Sequence, residues 1–329
     1  MKILMYNAVA DELPYVKKWS EKTGHEVVTI DQPLNEETVD RASGFDAVST
    51  QQTTSVNPPV YERLSQLNIK QIALRQVGYD VFDLPAAFAN HVRLSNVAAY
   101  SPRAIAEYTL TQLFNLIRHN KKFDRAMAQG DYTWAAGGQA REIHDLTVAI
   151  IGVGRIGTAL AEMLHALGAQ VLGVDPVYLA QNEPFVTYTT LDEALRRADV
   201  ISFHTPLNDE TRGLADCAFF EKVQPGTIML NFARGEIVDM TALESALASG
   251  QLAGAAFDVA PNENDFMDQK QTVDELPENI QRLVAYDNFL LSPHIAFYTN
   301  TAIKNMVEMA LNDAVIMVNG GFTENEILR

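Results

Sequence analysis

Three glycines and one acid carry the first recognisable chemistry of this 329-residue chain. The apolar run Val148 to Ile151 enters Gly152, Gly154 and Gly157, spaced G-x-G-x-x-G. A helical pattern of Ala159, Leu160, Met163, Leu164 and Leu167 follows, and a second apolar run, Val171 to Val174, stops at Asp175. Each glycine meets a distinct demand of dinucleotide binding. Gly152 permits a tight turn, Gly154 lets backbone approach a pyrophosphate, and Gly157 lets the helix lie close on the strand. The unpaired N–H groups of the helix N-terminus then face the phosphates. Asp175, 18 residues beyond Gly157, is spaced to accept hydrogen bonds from ribose hydroxyls. Its charge would repel a 2′-phosphate, and Pro176, Val177 and Tyr178 supply no cation to hold one. NAD is therefore expected rather than NADP.

Redox chemistry on a small oxo acid needs a cation for the carboxylate, a proton donor for the carbonyl oxygen and a group that tunes the donor. Three more strand ends offer them. N-F-A-R-G sets Arg234 just past an apolar run, A-F-D-V-A-P-N-E sets Asp258 at another with Glu263 five residues on, and L-S-P-H-I-A sets His294 past a third. Taken singly each has a plainer role: a surface ion pair, a solvated acid, a turn histidine. In a doubly wound sheet, however, ligands bind outside the carboxyl ends of the strands, so the three could converge on one crevice.

Positioning them requires alternating elements, and these recur along the whole chain. Short apolar runs at 3–6, 27–30, 47–49 and 72–74 alternate with helical stretches at 13–19, 36–41 and 59–67. Beyond residue 147 the strands 200–203, 227–230, 253–257 and 289–291 continue the alternation, and a helix is expected over 301–318. Both halves imply parallel sheets covered on both faces. The expected fold class is α/β: two doubly wound, Rossmann-like domains with a cleft between them. A helix start at Y-S-P-R-A, with Ser101 as cap and Pro102 at the first helical position, runs without a breaker to Gly130. That is about 28 residues or about 42 Å, long enough to bridge domains or subunits. The acidic stretch from Asn262 to Glu278 lacks periodicity and reads as a loop, and Cys217 as a half-buried helix residue. At 47% hydrophobic and 20% charged the composition is that of a globular protein, and the length implies two domains. Forty-two acidic against 25 basic residues, a net charge of −17, disfavour nucleic acid or an anionic membrane as partner. One cysteine, no apolar stretch near 18 residues and no signal-peptide pattern in M-K-I-L-M-Y-N-A give a cytoplasmic expectation. No metal site is expected.

G-V-G-R-I-G, H-T-P (204–206), N-F-A-R-G-E-I-V-D, G-A-A-F-D-V and S-P-H-I-A-F-Y-T together resemble the D-isomer-specific 2-hydroxyacid dehydrogenases, over essentially the whole chain. K-I-L-M-Y and Y-S-P-R-A-I-A-E-Y give a closer likeness to the D-lactate and D-2-hydroxyisocaproate enzymes of fermenting bacteria. The resemblance implies a flavodoxin-like substrate domain of residues 1–100 plus 299–329, an NAD-binding Rossmann domain of residues 101–298, and a homodimer. It implies catalysis by Arg234, Glu263 and His294, with Glu263 favouring the charged imidazole. Cofactor contacts are implied at Arg155, Ile156, Asp175, Thr205, Pro206, Thr211, Phe232, Ala233 and Asp258, beside the three glycines. Substrate contacts are implied at Gln51, Val77, Gly78, Tyr100 and Arg234, with the N–H groups of Val77 and Gly78 holding the carboxylate. Two departures concern the substrate. The family stretch R-N-V-G-x-D-N is here R-Q-V-G-Y-D-V, with Gln76 and Val81 in place of asparagines. Position 51 is Gln where lactate enzymes carry Tyr and isocaproate enzymes Leu, so small 2-oxo acids, pyruvate first, are expected. Larger 2-oxo acids are the alternative. Glu263 disfavours a formate dehydrogenase, where Gln is expected, and an NAD-sensing corepressor is the remaining, non-enzymatic reading. His204 is read as structural.

Overall fold

The computed structural model describes residues 1–267 and 269–328. It divides into two compact units, one of residues Met1–Ser101 and Tyr298–Arg329, the other of Pro102–Phe297. The first begins with β1 (Lys2–Met5), α1 (Leu13–Thr23), β2 (Glu26–Thr29), β3 (Ala47–Thr50), α2 (Pro58–Gln66), β4 (Gln71–Leu74), α3 (Leu84–Ala89) and β5 (Arg93–Ser95). The stretch expected as a helix over 36–41 is instead one 3₁₀ turn, Val39–Ala42. α3 and β5 carry too few residues for their periodicity to show.

The second unit opens with α4 (Pro102–Ile117) and α5 (Asn120–Ala128). One uninterrupted helix was the expectation here, and the structure corrects it. His119 sits in the left-handed region at φ 55°, and the Ile117 carbonyl, which would have continued the helix, accepts from Arg141 N at 3.0 Å. The His119 ring also meets Gln139 O at 3.1 Å. The chain returning 20 residues later ends the helix, so no local breaker is needed. The unit continues with β6 (Thr147–Ile151), α6 (Arg155–Ala166), β7 (Gln170–Val174), β8 (Thr187–Tyr188), α7 (Leu191–Arg197) and β9 (Val200–Phe203). It is completed by α8 (Cys217–Lys222), β10 (Thr227–Asn231), α9 (Met240–Ala248), β11 (Leu252–Phe257), α10 (Glu278–Val284) and β12 (Phe289–Leu291). Cys217 is exposed rather than half-buried, because α8 buries Phe219 and Phe220 instead. The 262–278 stretch holds two 3₁₀ turns, Glu263–Asp265 and Val273–Glu275.

The chain then rejoins the first unit as α11 (Asn300–Val318) and β13 (Glu326–Ile327). Thr299 caps α11 by accepting from Ala302 N. Its apolar face, with Met306, Val307, Leu311 and Met317, packs over β3 and β4. Within α11, Asp313 accepts from Thr323 and Asn325 of the tail, and Arg93 pairs with Glu326 at 2.6 Å, so the returning tail is tied down.

The sheet of the first unit runs β13-β5-β4-β3-β1-β2, parallel except for β13. That of the second runs β12-β11-β10-β9-β6-β7-β8, and every pairing in it is parallel. Both orders are doubly wound, flavodoxin-like and Rossmann-like respectively, and each reverses direction once, beside β1 and beside β6. The central strands β3, β4, β9 and β10 are wholly buried, as in sheets covered on both faces. Aromatic pairs such as Phe203–Phe219 and Phe257–Phe289 fill the second core, with centroids 5.8 and 5.7 Å apart. Tyr6, Tyr61 and Leu74 belong to the first.

Candidate active site

The reversal beside β6 places the glycine turn where ligands bind in such sheets. Gly152 has φ +96°, and a Cβ on it would meet the His204 carbonyl carbon and oxygen at 2.6 Å. A Cβ on Gly157 would lie 2.1 Å from Gly152 O, so the first turn of α6 can lie on the strand only without a side chain. Around Gly154, by contrast, there is open space. Two glycines are thus fixed by packing and one leaves room for a ligand. Asp175 closes the turn from the end of β7: Oδ2 accepts from Val153 N and Oδ1 from Val177 N, both at 2.7 Å.

At the adjacent end of β9, Thr205 Oγ1 and His204 Nδ1 are buried without a hydrogen-bond partner. Burial without a partner is costly, so such groups are expected to meet a ligand. His204 Nε2 pairs with Ser202 Oγ at 2.8 Å, and burial holds the ring down at about 3, keeping it neutral. Pro206 and Thr211 lie on the following loop, closed by Thr211 Oγ1 donating to Pro206 O at 2.7 Å. Arg155 and Ile156 open α6. The glycine cradle, the orphaned hydroxyl and the strand-end acid fit a dinucleotide.

Arg234 follows β10, whose last residue, Asn231, is fully buried. Its Nδ2 donates to Arg234 O at 2.9 Å while its Oδ1 accepts from Ala233 N at 3.1 Å, folding the turn that presents Arg234. Phe232 and Ala233 are buried beneath, and Tyr108 of α4 meets the Phe232 ring edge-on at 6.0 Å. Gly235 follows at once. A Cβ there would strike the Ala260 carbonyl carbon at 2.1 Å, so only glycine lets this turn touch the one leading to Glu263.

Glu263 and His294 form the tightest pair, Nδ1 to Oε1 at 2.6 Å, with the ring 36% and the carboxylate 18% exposed. Glu263 Oε2 also accepts from Ala260 N at 3.1 Å, which fixes its rotamer. A carboxylate on Nδ1 leaves Nε2 to exchange a proton outward. Asp258, at the end of β11, is 2% exposed and holds the loop that carries His294: it accepts from Ser292 Oγ at 2.5 Å, Ile295 N at 3.0 Å and Ala296 N at 2.8 Å. Burial pushes its carboxyl up, and those three donors pull it back. Among the described residues six non-glycines have positive φ, and Asn262, His294 and Asn7 are three of them. Such conformations cost of order 1–3 kcal/mol each, and these three lie on the turns that carry Glu263 and His294 and at the end of β1.

In the first unit the reversal beside β1 brings together the ends of β1, β3 and β4. Arg75 and Glu12 form a pair with side chains 0% and 1% exposed, Nε to Oε1 at 2.6 Å. Arg75 also donates to Ser49 Oγ and to the carbonyls of Tyr6 and Asn7, joining all three strand ends. The loop after β4 is anchored by its carbonyls: Gln76 O accepts from Val97 N, and Val77 O from Asn96 Nδ2. In a trans peptide the N–H points opposite to the C=O, so anchoring these two carbonyls turns the N–H groups of Val77 and Gly78 away from the anchors. Gln51, half-buried, follows β3, and Tyr100 is 8% exposed with its carbonyl held by Asn305.

Sequence reasoning missed the residues that hold the others: Asn231, Gly235, Ser292, Asn7 and the Arg75–Glu12 pair. Two of them left a signal, a polar residue closing an apolar run (Asn231) and a glycine directly after the strand-end Arg234 (Gly235).

A Rossmann sheet with a dinucleotide cradle and an acid-paired histidine at its strand ends is the arrangement of nicotinamide-dependent oxidoreductases. The sequence profile of the D-isomer specific 2-hydroxyacid dehydrogenase NAD-binding domain matches residues 110–296, and the chain belongs to that family. It is 37% identical to a D-lactate dehydrogenase of Lactiplantibacillus plantarum over 99% of both chains. Among solved structures it resembles the NAD-complexed D-isomer specific 2-hydroxyacid dehydrogenase of Lactobacillus delbrueckii ssp. bulgaricus, with TM-score 0.90, 38% identity and 100% of both chains covered. A D-2-hydroxyisocaproate dehydrogenase aligns with TM-score 0.92 at 35% identity over 99% of both chains.

Proposed function

We propose that this NAD-dependent enzyme reduces pyruvate to D-lactate, and that Arg234, Glu263 and His294 carry the chemistry. The observation that supports it most is the His294–Glu263 pair at 2.6 Å, on the strand ends that also bear the glycine cradle. NAD would be held by Gly152, Gly154, Arg155, Ile156 and Gly157 at its pyrophosphate and by Asp175 at its ribose. Thr205, Pro206, Thr211, Phe232, Ala233 and Asp258 would line the remainder, and the bound cofactor supplies the hydride. Arg234 clamps the substrate carboxylate and polarises its carbonyl with a planar, permanently charged fork. His294, charged and held by Glu263, donates the proton that the carbonyl oxygen takes up; in the oxidative direction the neutral ring removes it. Val77 and Gly78 offer N–H groups to the carboxylate, Gln51 meets the substrate side chain, and Tyr100 is a further substrate contact. In this reading the Met1–Ser101 unit with its returning tail is the substrate domain and the Pro102–Phe297 unit the NAD domain.

A second reading, reduction of larger 2-oxo acids, is favoured by the likeness to the hydroxyisocaproate enzyme. Gln51 speaks against it. A large apolar side chain would strip water from that amide at about 1–3 kcal/mol, offsetting one or two buried methylenes at roughly 0.8 kcal/mol each. NADH oxidation with 2-oxo acids of increasing side-chain length separates the two. Pyruvate should give the highest kcat/KM, and a tenfold preference for 2-oxo-4-methylpentanoate would establish the second reading instead.

The proposal extends to a cytoplasmic homodimer. Trp134 is 94% and Tyr132 76% exposed, and α5 buries none of its residues. Such aromatic exposure is characteristic of a surface that a partner covers. Among the described residues no helix is long and apolar enough to cross a membrane.

A further inference from the structure

Gln76 departs from the family's asparagine, and its side chain does something specific in the first unit. Its Oε1 accepts from Gln52 N at 2.7 Å, while its Nε2 donates to Gly78 O at 2.8 Å. One amide therefore spans the loop after β3 and the loop after β4. The peptide it grips, between Gln51 and Gln52, is held on its other side too: Gln51 O accepts from Asn7 Nδ2 at 2.7 Å. Asn7 is fixed in turn, with φ 49°, its N–H on Gln32 O and its carbonyl on the buried Arg75. A planar peptide with both polar groups engaged cannot rotate about its flanking bonds without breaking one of them. Downstream, Gln52 is 4% exposed, with its Oε1 accepting from Leu34 N and Thr50 Oγ1 and its Nε2 donating to the Leu34 and Thr54 carbonyls. The direction in which Gln51 leaves the backbone is thus set by a side chain belonging to the carboxylate loop. Asparagine is one methylene shorter, so from the same backbone position its amide reaches less far toward Gln52 N and Gly78 O.

We propose that Gln76 is a positioning and specificity-determining residue, which couples the side-chain-reading position Gln51 to the carboxylate-binding loop Val77–Gly78. This rests on the substrate roles proposed above for those residues. Through the coupling, a substrate whose carboxylate seats on the loop meets Gln51 at one fixed distance, so the cross-link selects chain length as well as holding the loop. Gln76 acts through its neighbours and touches no reacting atom.

The test is steady-state kinetics of Gln76→Ala and Gln76→Asn, combined in a cycle with Gln51→Leu, alongside NADH affinity from nicotinamide fluorescence. In both Gln76 variants KM for pyruvate should rise about tenfold, the worth of one or two lost hydrogen bonds. kcat should stay within about threefold and the NADH Kd within about twofold, a split that general loosening of the fold would not give. In the parent, Gln51→Leu should raise the preference for 2-oxo-4-methylpentanoate over pyruvate about tenfold. With Gln76 replaced, the same change should shift it less than about threefold, because the two positions no longer share a frame. Gln76→Asn serves alone if the alanine variant does not fold. Unchanged KM, or a Gln51→Leu effect of full size in the Gln76 background, overturns the inference while leaving the proposed function standing. A parent that turns over no 2-oxo acid with NADH overturns both.

Discussion

A histidine bonded at one nitrogen to a carboxylate and open at the other is a proton donor with a built-in counter-charge. His294→Ala should lower kcat for pyruvate reduction by about two to four orders of magnitude, the usual worth of a general acid, while NADH binding stays intact. Stopped-flow traces at saturating NADH would show it, and near-normal turnover would remove His294 from the mechanism. Glu263→Gln keeps an acceptor near Nδ1 and deletes the charge. Without the carboxylate the ring loses the ionic partner that orients Nδ1, so kcat for reduction should fall about tenfold or more, the worth of a hydrogen bond to a charged group, while NADH affinity holds. Unchanged kcat in the variant would make Glu263 a packing residue. Glycine roles were legible at this scale because each follows from spacing alone. Asn231 and Gly235 left only a faint signal, a polar end to an apolar run and a glycine after an arginine; what they do was hidden, since their partners, Arg234 O and the Ala260 carbonyl, are backbone atoms that only the folded chain brings near.

Elements rather than single residues hold the histidine in place. Asp258 ties the end of β11 to the loop after β12 through Ser292, Ile295 and Ala296. Asp258→Asn turns one acceptor into a donor, which then faces either N–H groups or the serine hydroxyl. The variant should lose about 1–3 kcal/mol of stability by urea denaturation and a larger share of kcat than of NADH affinity. Loss of NADH affinity with stability and kcat intact would limit Asp258 to its cofactor contact. The parallel strands were legible because β6, β9, β10 and β11 are covered on both faces and read as mostly apolar runs. Three-residue β5, two-residue β13 and six-residue α3 are too short to display a period. The break between α4 and α5 escaped for another reason: the group that ends α4 is Arg141 N, supplied from beyond α5.

For the chain as a whole, the buried neutral His204 links stability to pH. Its folded value of about 3 lies below the 6.5 of the unfolded state, so unfolding takes up a proton below about pH 6.5. The stability this confers is complete above 6.5 and falls by about 1.4 kcal/mol per pH unit on acidification toward 3. Comparing the parent with His204→Gln between pH 7.5 and 5 isolates the contribution, since other titrating groups are common to both. Parallel stability curves would refute it. Self-association is tested by light scattering: the parent should weigh twice 36.4 kDa, and replacing Trp134 and Tyr132 by serine should weaken the dimer on dilution. A monomeric parent would assign those aromatics to another partner.

The split of the first unit across the sequence has a consequence for synthesis. β3 and β4 leave the ribosome early, but α11, which covers them, and β13, which extends the sheet beyond β5, follow only after the whole second unit. At 5–20 residues per second the uncovered face waits about 10 to 50 seconds for its helix. The nascent chain therefore carries an apolar sheet face in water while the second unit completes its fold. Chaperone occupancy during translation should peak in that interval and fall once Met306, Val307 and Leu311 emerge.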